Sequence, residues 1–299
     1  MAQPARFSAP QRLVESVRAE DTPSARAWLA QLPALLDARL AAWGLVPERI
    51  AEPGGRSSLL VHAHRADDLA PVALKLARPS GEAAALRTWA GRGAVLLLDE
   101  ADGALLLERL HGEIPLRSLA EPKAMLEATS LLHRLWVPAP AGHGLPSLAE
   151  HARQLADRIA ERRSLPGAAD AGPLVDEALE AVALAGDGGG WLLHGRFRHG
   201  RVLAADRAPW LAVAPRPVVG DRAYDLASLV LDRLDTLAAS PGPRGAARRR
   251  LARLSEAVEL PADRVRAWTL LRAVDTALGS LAAGGTAAAE LHLEFAAWL

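Results

Sequence analysis

The spacing of apolar residues changes along the chain and predicts where helices and strands lie. Over residues 1–48 apolar positions recur at helical spacing, and Thr22-Pro23 has the form of a helix start. Over residues 50–115 short apolar runs alternate with glycine turns, which predicts one helix from Glu82 to Trp89 and strands at 59–64, 72–76, 95–98 and 104–108. The pattern therefore predicts a small antiparallel sheet with one helix on it.

The rest of the chain returns mainly to helical spacing. Residues 122–183 and 222–299 have a helical period, and short strand-like apolar runs lie between these blocks, at 191–193, 202–203 and 210–213. We therefore predict an α+β protein with two domains. Residues 1–110 would form a domain built on the sheet, and residues 111–299 would form a larger, mainly helical domain.

Composition and charge narrow the classes of function. No cysteine is present, which excludes disulfides and thiolate metal sites. The 35 basic residues match the 35 acidic residues in number, and the arginine-rich run 244–253 has the spacing of a surface helix without interleaved aromatic residues, so we expect no nucleic-acid partner. No apolar run reaches the length of a membrane span. We expect a cytoplasmic protein whose partner is a small molecule or another protein.

Two segments near residue 200 carry the strongest chemical pattern. The first is His194-Gly195-Arg196-Phe197-Arg198-His199-Gly200-Arg201. The second is Trp210-Leu211-Ala212-Val213-Ala214-Pro215-Arg216-Pro217, continued by Gly220-Asp221-Arg222-Ala223-Tyr224-Asp225. Together they resemble the catalytic and metal-binding segments of the aminoglycoside phosphotransferase superfamily, most closely its streptomycin 6-kinase and hydroxyurea phosphotransferase branch. That branch has His-Gly-Asp-Leu-His-His-Gly-Asn, then Trp-Leu-x-Ile-Asp-Pro-Lys-Pro-x-x-Gly-Asp-x-x-Tyr-Asp.

The resemblance implies a bilobal, protein-kinase-like fold and ATP-dependent phosphorylation of a small hydroxylated compound. Lys75 would hold the ATP phosphates, and Glu82 would pair with it. A glycine turn would cover the nucleotide and the exit of the last strand would meet adenine, through Gly54, Gly55 and Ser57 in the turn and Glu108 and Leu110 at the exit. Taken alone, Lys75 could equally be an exposed lysine of an edge strand, and the glycines could form an ordinary hairpin turn.

Three residues depart from the pattern of that branch, and all three stand where it has catalytic or metal-binding groups. Arg196 replaces the aspartate of the first segment, Arg201 replaces its asparagine, and Ala214 replaces the aspartate of the second. Arginine is cationic, accepts no hydrogen bond and cannot bind magnesium, and alanine offers no ligand. The site gains two positive charges at Arg196 and one each at Arg201 and Ala214, four in all. We therefore predict no metal site, with Arg201 and Arg216 as phosphate contacts.

These substitutions lead to the hypothesis of a pseudokinase, a family member with little or no transfer activity. It would keep binding of ATP, another nucleotide or a small molecule, without magnesium. Two alternatives stay open: an active phosphotransferase with another base, for which Asp206 and Asp221 are the nearest acids in sequence, and a structural or regulatory protein without a ligand. Because an unpaired buried arginine is costly, we also expect an arginine of the loop to pair with Asp221 or Asp225.

Overall fold

The chain folds into two compact units. The computed structural model of the protein describes residues 8–168, 171–185 and 189–299. The first unit comprises Met1–Gly112 together with Ala205–Pro209, and the second comprises Glu113–Ala204 together with Trp210–Leu299. The junction at 112–113 lies close to the boundary expected after residue 110. Nothing in the sequence pattern indicates that the short segment 205–209 belongs to the first unit.

The first unit is an antiparallel five-stranded sheet with three helices. The sheet order is β1-β2-β3-β5-β4, so that β3 lies in the middle. The predicted start of the second helix is confirmed, because the Thr22 hydroxyl accepts a hydrogen bond from the Ala25 N–H at 3.2 Å. The elements are α1 (Gln11–Glu20), α2 (Pro23–Ala42), β1 (Leu45–Ile50), β2 (Ser58–Arg65), β3 (Pro71–Ala77), α3 (Glu82–Trp89), β4 (Leu97–Ala101) and β5 (Ala104–Glu108).

Two of the predicted boundaries in this unit are wrong. The helical block was expected to run to residue 48, but β1 begins at Leu45 and pairs with β2. Four of the six β1 residues are exposed, so this edge strand shows no alternation of apolar and polar residues. The strand expected at 95–98 begins only at Leu97. The Leu96 carbonyl still accepts the Glu108 N–H at 3.1 Å, but the Leu96 N–H donates to the Glu108 carboxylate at 2.6 Å instead of to a strand carbonyl.

The helices α1 and α2 also pack on the sheet of the first unit, in addition to the single helix predicted there. Side chains alternate between the two faces of β3, and Val72, Leu74 and Leu76 join a buried apolar cluster with α1 and α2. Lys75 therefore points to the opposite face. The members that α1 and α2 contribute to the cluster are Leu13, Val17, Ala25, Leu32 and Leu36.

The second unit is mainly helical and holds two small three-stranded sheets, ordered β10-β9-β6 and β11-β8-β7. The helix α10 packs against α5, α6, α7, α9 and α11 and carries much of the buried apolar surface. The elements are β6 (His111–Pro115), α4 (Glu121–Leu135), β7 (Val137–Pro138), α5 (Leu148–Arg162), α6 (Gly172–Ala185), β8 (Trp191–Leu193), β9 (Val202–Ala204), β10 (Leu211–Ala212), β11 (Val218–Gly220), α7 (Ala223–Val230), α8 (Leu234–Ala238), α9 (Pro243–Ala257), α10 (Ala262–Ala282) and α11 (Thr286–Trp298).

The strands expected at 191–193, 202–203 and 210–213 correspond to β8, β9 and β10. The arginine-rich run lies on α9, as expected, although Arg250 is buried and pairs with Glu121 at 2.7 Å. Among the helices within residues 8–168, 171–185 and 189–299, none combines the length and apolar character required to cross a membrane.

A buried carboxylate ties the loop after β8 to α7. Asp225 is fully buried, and its two oxygens accept hydrogen bonds from the backbone N–H groups of His194 at 2.8 Å and Gly195 at 2.7 Å. The indole N–H of Trp136 adds a longer bond of 3.4 Å. Burial raises the pKa of Asp225 to about 6, although the backbone donors and the charge of Arg272 oppose the shift. The carboxylate therefore fixes the backbone at the start of the loop.

Asp221 has a similar role one turn earlier. It is buried, and its Oδ1 accepts the N–H of Ala223 at 3.0 Å at the start of α7. Its Oδ2 accepts from Arg264 Nε at 2.5 Å and from the Trp268 indole at 2.9 Å, and both donors lie on α10. Asp221 thus joins α7 to α10.

We predict that Asp225→Ala lowers the free energy of unfolding by about 2–4 kcal/mol. The substitution leaves two buried backbone N–H groups without acceptors, at roughly 1–3 kcal/mol each. Urea denaturation followed by circular dichroism measures the change. Asp235→Ala is the control, because the Asp235 side chain on α8 is 70% exposed and its removal should cost less than about 0.5 kcal/mol. A variant at Asp225 as stable as the parent would contradict this role.

Candidate functional site

The loop from His194 to Arg201 lies directly against the segment that ends at Arg216. The Arg216 N–H donates to the His194 carbonyl at 2.9 Å. Gly195 has φ +75°, and a Cβ atom there would stand 1.9 Å from the Arg216 carbonyl oxygen. Only glycine permits this approach of two backbones. The two segments that the sequence singled out are therefore brought together within the second unit.

Ala214 has a backbone conformation that does not suit alanine. Its φ is +53°, in the left-handed region, which costs a residue with a Cβ atom about 1–2 kcal/mol. Aspartate and asparagine are several-fold enriched in this region. The pattern that the segment resembles has aspartate at this position. The backbone at Ala214 thus has a conformation that suits an aspartate, although the residue here is alanine.

Arg201 joins the two segments at the position of the expected metal ligands. Its Nη1 donates to the Ala214 carbonyl at 3.2 Å, and its own carbonyl accepts the Val213 N–H at 2.9 Å. Magnesium requires hard oxygen donors, and the side chains of Arg201 and Ala214 supply none. Within the described part of the chain, no three His, Cys, Asp or Glu side chains are grouped so that they could hold a metal ion. The residues present at this point do not fit magnesium.

Arg196 is half-buried in a strongly positive environment. Its pKa is lowered to about 10, first by burial and then by the charges of Arg201, Arg216, Arg198 and Arg272. At neutral pH it remains protonated and cannot accept a proton. The local electrostatic field therefore disfavours any further cation and favours an anion.

The ion pair expected between an arginine of the loop and Asp221 or Asp225 does not form at Arg196. Both oxygens of Asp225 are engaged by backbone N–H groups of this same loop, and Oδ2 of Asp221 pairs with Arg264 on α10. The buried acids nearest to the loop in sequence thus hold backbone and helices in place. Among residues 8–168, 171–185 and 189–299, no carboxylate lies within ion-pair distance of Arg196.

His199 is a buried histidine that is held by Asp232. Its backbone N–H and its Nδ1 both contact Asp232 Oδ2 at 2.7 Å. Burial raises the pKa of Asp232, but the hydrogen bonds and charge of His199 outweigh it and the net shift is downward. Sequence reasoning missed Asp232, which lies between α7 and α8 outside every recognisable motif.

In the first unit, Lys75 and Glu82 form a buried ion pair. Lys75 is 8% and Glu82 5% exposed, and Lys75 Nζ donates to Glu82 Oε2. Lys75 lies on the central strand β3, opposite Leu60 on β2 and Leu105 on β5. The alternative of an exposed lysine on an edge strand is therefore wrong. The chain has two lysines and 33 arginines, so a lysine at this position stands out against the arginine bias of the sequence.

The glycine turn joins β1 to β2, as its position before Lys75 suggested. Gly54 has φ +76°, and a Cβ atom there would stand 2.8 Å from Pro10, which precedes α1. Gly55 and Ser57 lie in the same turn, and Ser57 is exposed. The contact with Pro10 was not foreseen. A role for these three residues in covering a nucleotide stays a prediction.

Glu108 and Leu110 are held by contacts inside the first unit. The Glu108 carboxylate accepts from Arg207 Nε at 2.9 Å, from Arg207 Nη2 at 2.8 Å and from the Leu96 N–H at 2.6 Å. Leu110 is buried, and its carbonyl accepts the Gly112 N–H at 3.1 Å. Sequence reasoning missed Arg207. Contact of Glu108 and Leu110 with adenine remains a prediction.

Known proteins with similar sequences are antibiotic-modifying kinases. Residues 43–284 match the family model described as aminoglycoside/hydroxyurea antibiotic resistance kinase. Streptomycin 6-kinase of Streptomyces griseus is 36% identical over 296 residues, which cover 96% of this chain and 95% of that protein. Hydroxyurea phosphotransferase of Kitasatospora aureofaciens is 34% identical over 299 residues, which cover 96% of this chain and 84% of that protein.

Solved structures share the fold. Aminoglycoside phosphotransferase APH(4)-Ia has a TM-score of 0.59 at 15% identity and covers 89% of this chain and 97% of its own. Spectinomycin phosphotransferase APH(9)-Ia, in complex with ADP and spectinomycin, has a TM-score of 0.58 at 12% identity and covers 88% of this chain and 97% of its own. The predicted α+β, kinase-like fold is confirmed. From the family model and the two relatives together, the chain belongs to the aminoglycoside/hydroxyurea antibiotic resistance kinase family.

Proposed function

We propose that the protein is a catalytically silenced member of this family, which binds nucleotide without magnesium and transfers phosphate slowly or not at all. Phosphoryl transfer requires a carboxylate that orients the acceptor hydroxyl and oxygen ligands that hold magnesium on the phosphates. Arg196, Arg201 and Ala214 stand where the branch pattern has these groups. Neither a proton acceptor nor a metal ligand remains among the three side chains.

The hydrogen bond from Arg201 to Ala214 carries this proposal. In a magnesium-dependent kinase an asparagine and an aspartate hold the metal that bridges the phosphates. The corresponding positions here are linked by the 3.2 Å bond from the Arg201 guanidinium to the Ala214 carbonyl. A fixed positive charge therefore stands at this point of the loop, where it repels a divalent cation and attracts phosphate oxygens.

The first unit supports the retention of nucleotide binding. The Lys75–Glu82 pair is buried, which is the arrangement that a phosphate-binding lysine requires. Two structurally similar proteins are described as complexes with ADP, one with hygromycin B and one with spectinomycin. We infer that nucleotide phosphates are the ligand of Lys75 in this chain, and that a small molecule is the second ligand.

An alternative catalytic base finds no support in the described contacts. Asp221 is buried, and its oxygens already accept bonds from Arg264, Trp268 and Ala223. Asp206 belongs to the first unit, where its exposed carboxylate contacts His111 Nε2 at 2.8 Å. Neither acid offers a free, fixed carboxylate beside the loop of the second unit.

We predict negligible phosphate transfer from ATP to streptomycin or hydroxyurea. Loss of the base and of the metal ligands together should remove at least about 5 kcal/mol of transition-state stabilisation, or roughly four decades in rate at 1.36 kcal/mol per decade. Transfer of labelled γ-phosphate in the presence of magnesium is the measurement. Turnover at the rate of an ordinary kinase, roughly 1–100 s⁻¹, would show the proposal to be wrong.

Reversion variants provide the control for this prediction. Arg196→Asp alone should stay inactive, because Arg201 and Ala214 still supply no ligand for magnesium. The triple variant Arg196→Asp, Arg201→Asn, Ala214→Asp should gain magnesium-dependent activity, and the backbone of Ala214 already suits an aspartate. Equal activity of the single and the triple variant would contradict the assigned roles.

We predict that ATP binds with an affinity that changes less than about threefold when magnesium is added. The arginines would neutralise the phosphates in place of the metal. Isothermal titration calorimetry with and without magnesium gives the two dissociation constants. Lys75→Met should weaken binding at least tenfold, equivalent to about 1.4 kcal/mol.

Lys123→Met is the matched control, because Lys123 is the other lysine of the chain and lies exposed on α4. It should leave the affinity for ATP unchanged. Circular dichroism checks that Lys75→Met, which leaves Glu82 unpaired, is still folded. Tenfold or greater dependence on magnesium, or unchanged affinity in a folded Lys75→Met variant, would exclude this mode of binding.

A further inference from the structure

The side chains of Arg196, Arg198 and Arg216 concentrate positive charge at the loop of the second unit. Arg196 and Arg198 follow one another closely in the loop, and Arg216 is held against it by the backbone bond to His194. In the described residues, no acid forms an ion pair with Arg196, Arg198 or Arg216. Many other arginines of the chain do pair with an acid, for example Arg78 with Glu20 at 2.6 Å. Within the described part of the chain, these three guanidinium groups are therefore left to pair with an anionic ligand.

The acids on neighbouring elements are already committed to other groups. Asp225 accepts backbone N–H groups of the loop, Asp221 pairs with Arg264, and Asp232 pairs with His199. Asp275 on α10 lies 3.4 Å from Arg158 and 3.8 Å from Arg162, both on α5. None of these carboxylates can turn to the loop without giving up its present partner.

Residues behind the loop extend the same positive region. The guanidinium carbon of Arg272 on α10 lies 4.3 Å from the centre of the ring of Tyr224, the residue before Asp225. The Nη1 atom of Arg272 is buried without a hydrogen-bond partner among the described residues. His151 on α5 contacts the Tyr224 hydroxyl at 2.9 Å. Burial and the charges of Arg272, Arg158 and Arg216 lower the pKa of His151, against a smaller opposing effect of Asp275. At His151 the effect of Asp275 is thus outweighed by burial and the three arginines.

We propose that this loop is a binding site for the phosphate group of a small non-nucleotide phosphate monoester, held by Arg196, Arg198 and Arg216 without a metal ion. The inference rests on the proposed function in one respect, that the loop holds no magnesium. It adds the class of the second ligand. A phosphate dianion offers three oxygens and two charges to several guanidinium groups, whereas a carboxylate offers two oxygens and one charge.

The same charge distribution excludes a cationic ligand. An aminoglycoside, one substrate class in the description of the matching family model, carries amino groups that are cationic at neutral pH. A half-buried Arg196 with four further arginines acting on it would repel such a molecule. The small molecule bound by this chain is therefore anionic, unlike an aminoglycoside.

Binding of inorganic phosphate and of glycerol 2-phosphate, measured by calorimetry and by thermal unfolding, tests the proposal. Sodium chloride at equal ionic strength and sodium sulfate are the reference salts. We expect both phosphates to bind with a dissociation constant below about 1 mM, and streptomycin to show no binding. Arg196→Gln/Arg216→Gln should weaken phosphate binding at least tenfold, while Arg249→Gln/Arg253→Gln, at exposed positions of α9, should not change it.

A second readout separates loss of the site from loss of folding. Without phosphate, the Arg196→Gln/Arg216→Gln variant should unfold at a higher temperature than the parent, because it removes like charges and a half-buried cation. Added phosphate should raise the unfolding temperature of the parent and should not raise that of the variant. The proposal would be overturned if phosphate stabilised the parent no more than chloride does. It would also be overturned if the α9 variant lost as much phosphate affinity as the Arg196→Gln/Arg216→Gln variant.

Lys75→Met distinguishes this proposal from the proposed function. On Lys75→Met, glycerol 2-phosphate should lose less affinity than ATP, because the proposed contacts of the monoester are Arg196, Arg198 and Arg216, whereas ATP is proposed to need Lys75 as well. Magnesium-dependent turnover would contradict the proposal of a silenced kinase. The phosphate titrations would then decide by themselves whether the loop binds a phosphate monoester. If Lys75→Met weakens both ligands equally, the loop of the second unit is not an independent phosphate site.

Discussion

The fully buried carboxylate of Asp225 is the contact on which the rest of this site depends. It accepts the N–H groups of His194 and Gly195 and so sets the course of the loop before any side chain of the loop acts. Gly195 then allows the backbone at Arg216 to approach, and Arg201 can reach the Ala214 carbonyl. Because the frame is held by backbone contacts, its side chains can change their chemistry without loss of the fold.

The contacts that hold the backbone of the loop do not involve the side chains that a kinase uses for transfer. This separation explains how a kinase loop can carry arginines. A catalytic aspartate or a metal ligand contributes to transfer but little to the packing of this loop, since the acids that hold the loop are Asp225 and Asp232. Ala214 shows the separation most directly, because its left-handed backbone suits an aspartate that is absent. The result is a kinase-like frame whose loop carries arginines.

The sequence predicted the fold class well because its signals are local. Helical spacing, glycine turns and the capping hydroxyl of Thr22 each act over a few residues, and they placed most elements within a few positions. The strand β1 was missed because its exposed residues give no periodicity. The assignment of segment 205–209 to the first unit depends on Arg207, whose contacts with Glu108, Gly91 and Ala94 join positions far apart in the chain.

The candidate site was predicted in outline and misjudged in its ion pairs. Motif spacing brought Lys75 to Glu82 and His194 to Arg216, because these positions are tied to the backbone pattern. Partners chosen by side chains across long separations were not predictable, such as Arg264 for Asp221 and Asp232 for His199. A charge count alone could not show that the acids nearest to Arg196 were already engaged by other groups.

A crystal structure with a non-hydrolysable ATP analogue and manganese, with anomalous scattering used to locate the metal, shows whether phosphate binding in this protein depends on cationic side chains or on a metal held by the protein. We expect phosphate oxygens bonded to cationic side chains and no manganese ion coordinated by a protein side chain. An anomalous peak for manganese with a protein side chain as ligand, beside the Ala214 segment, would contradict this expectation.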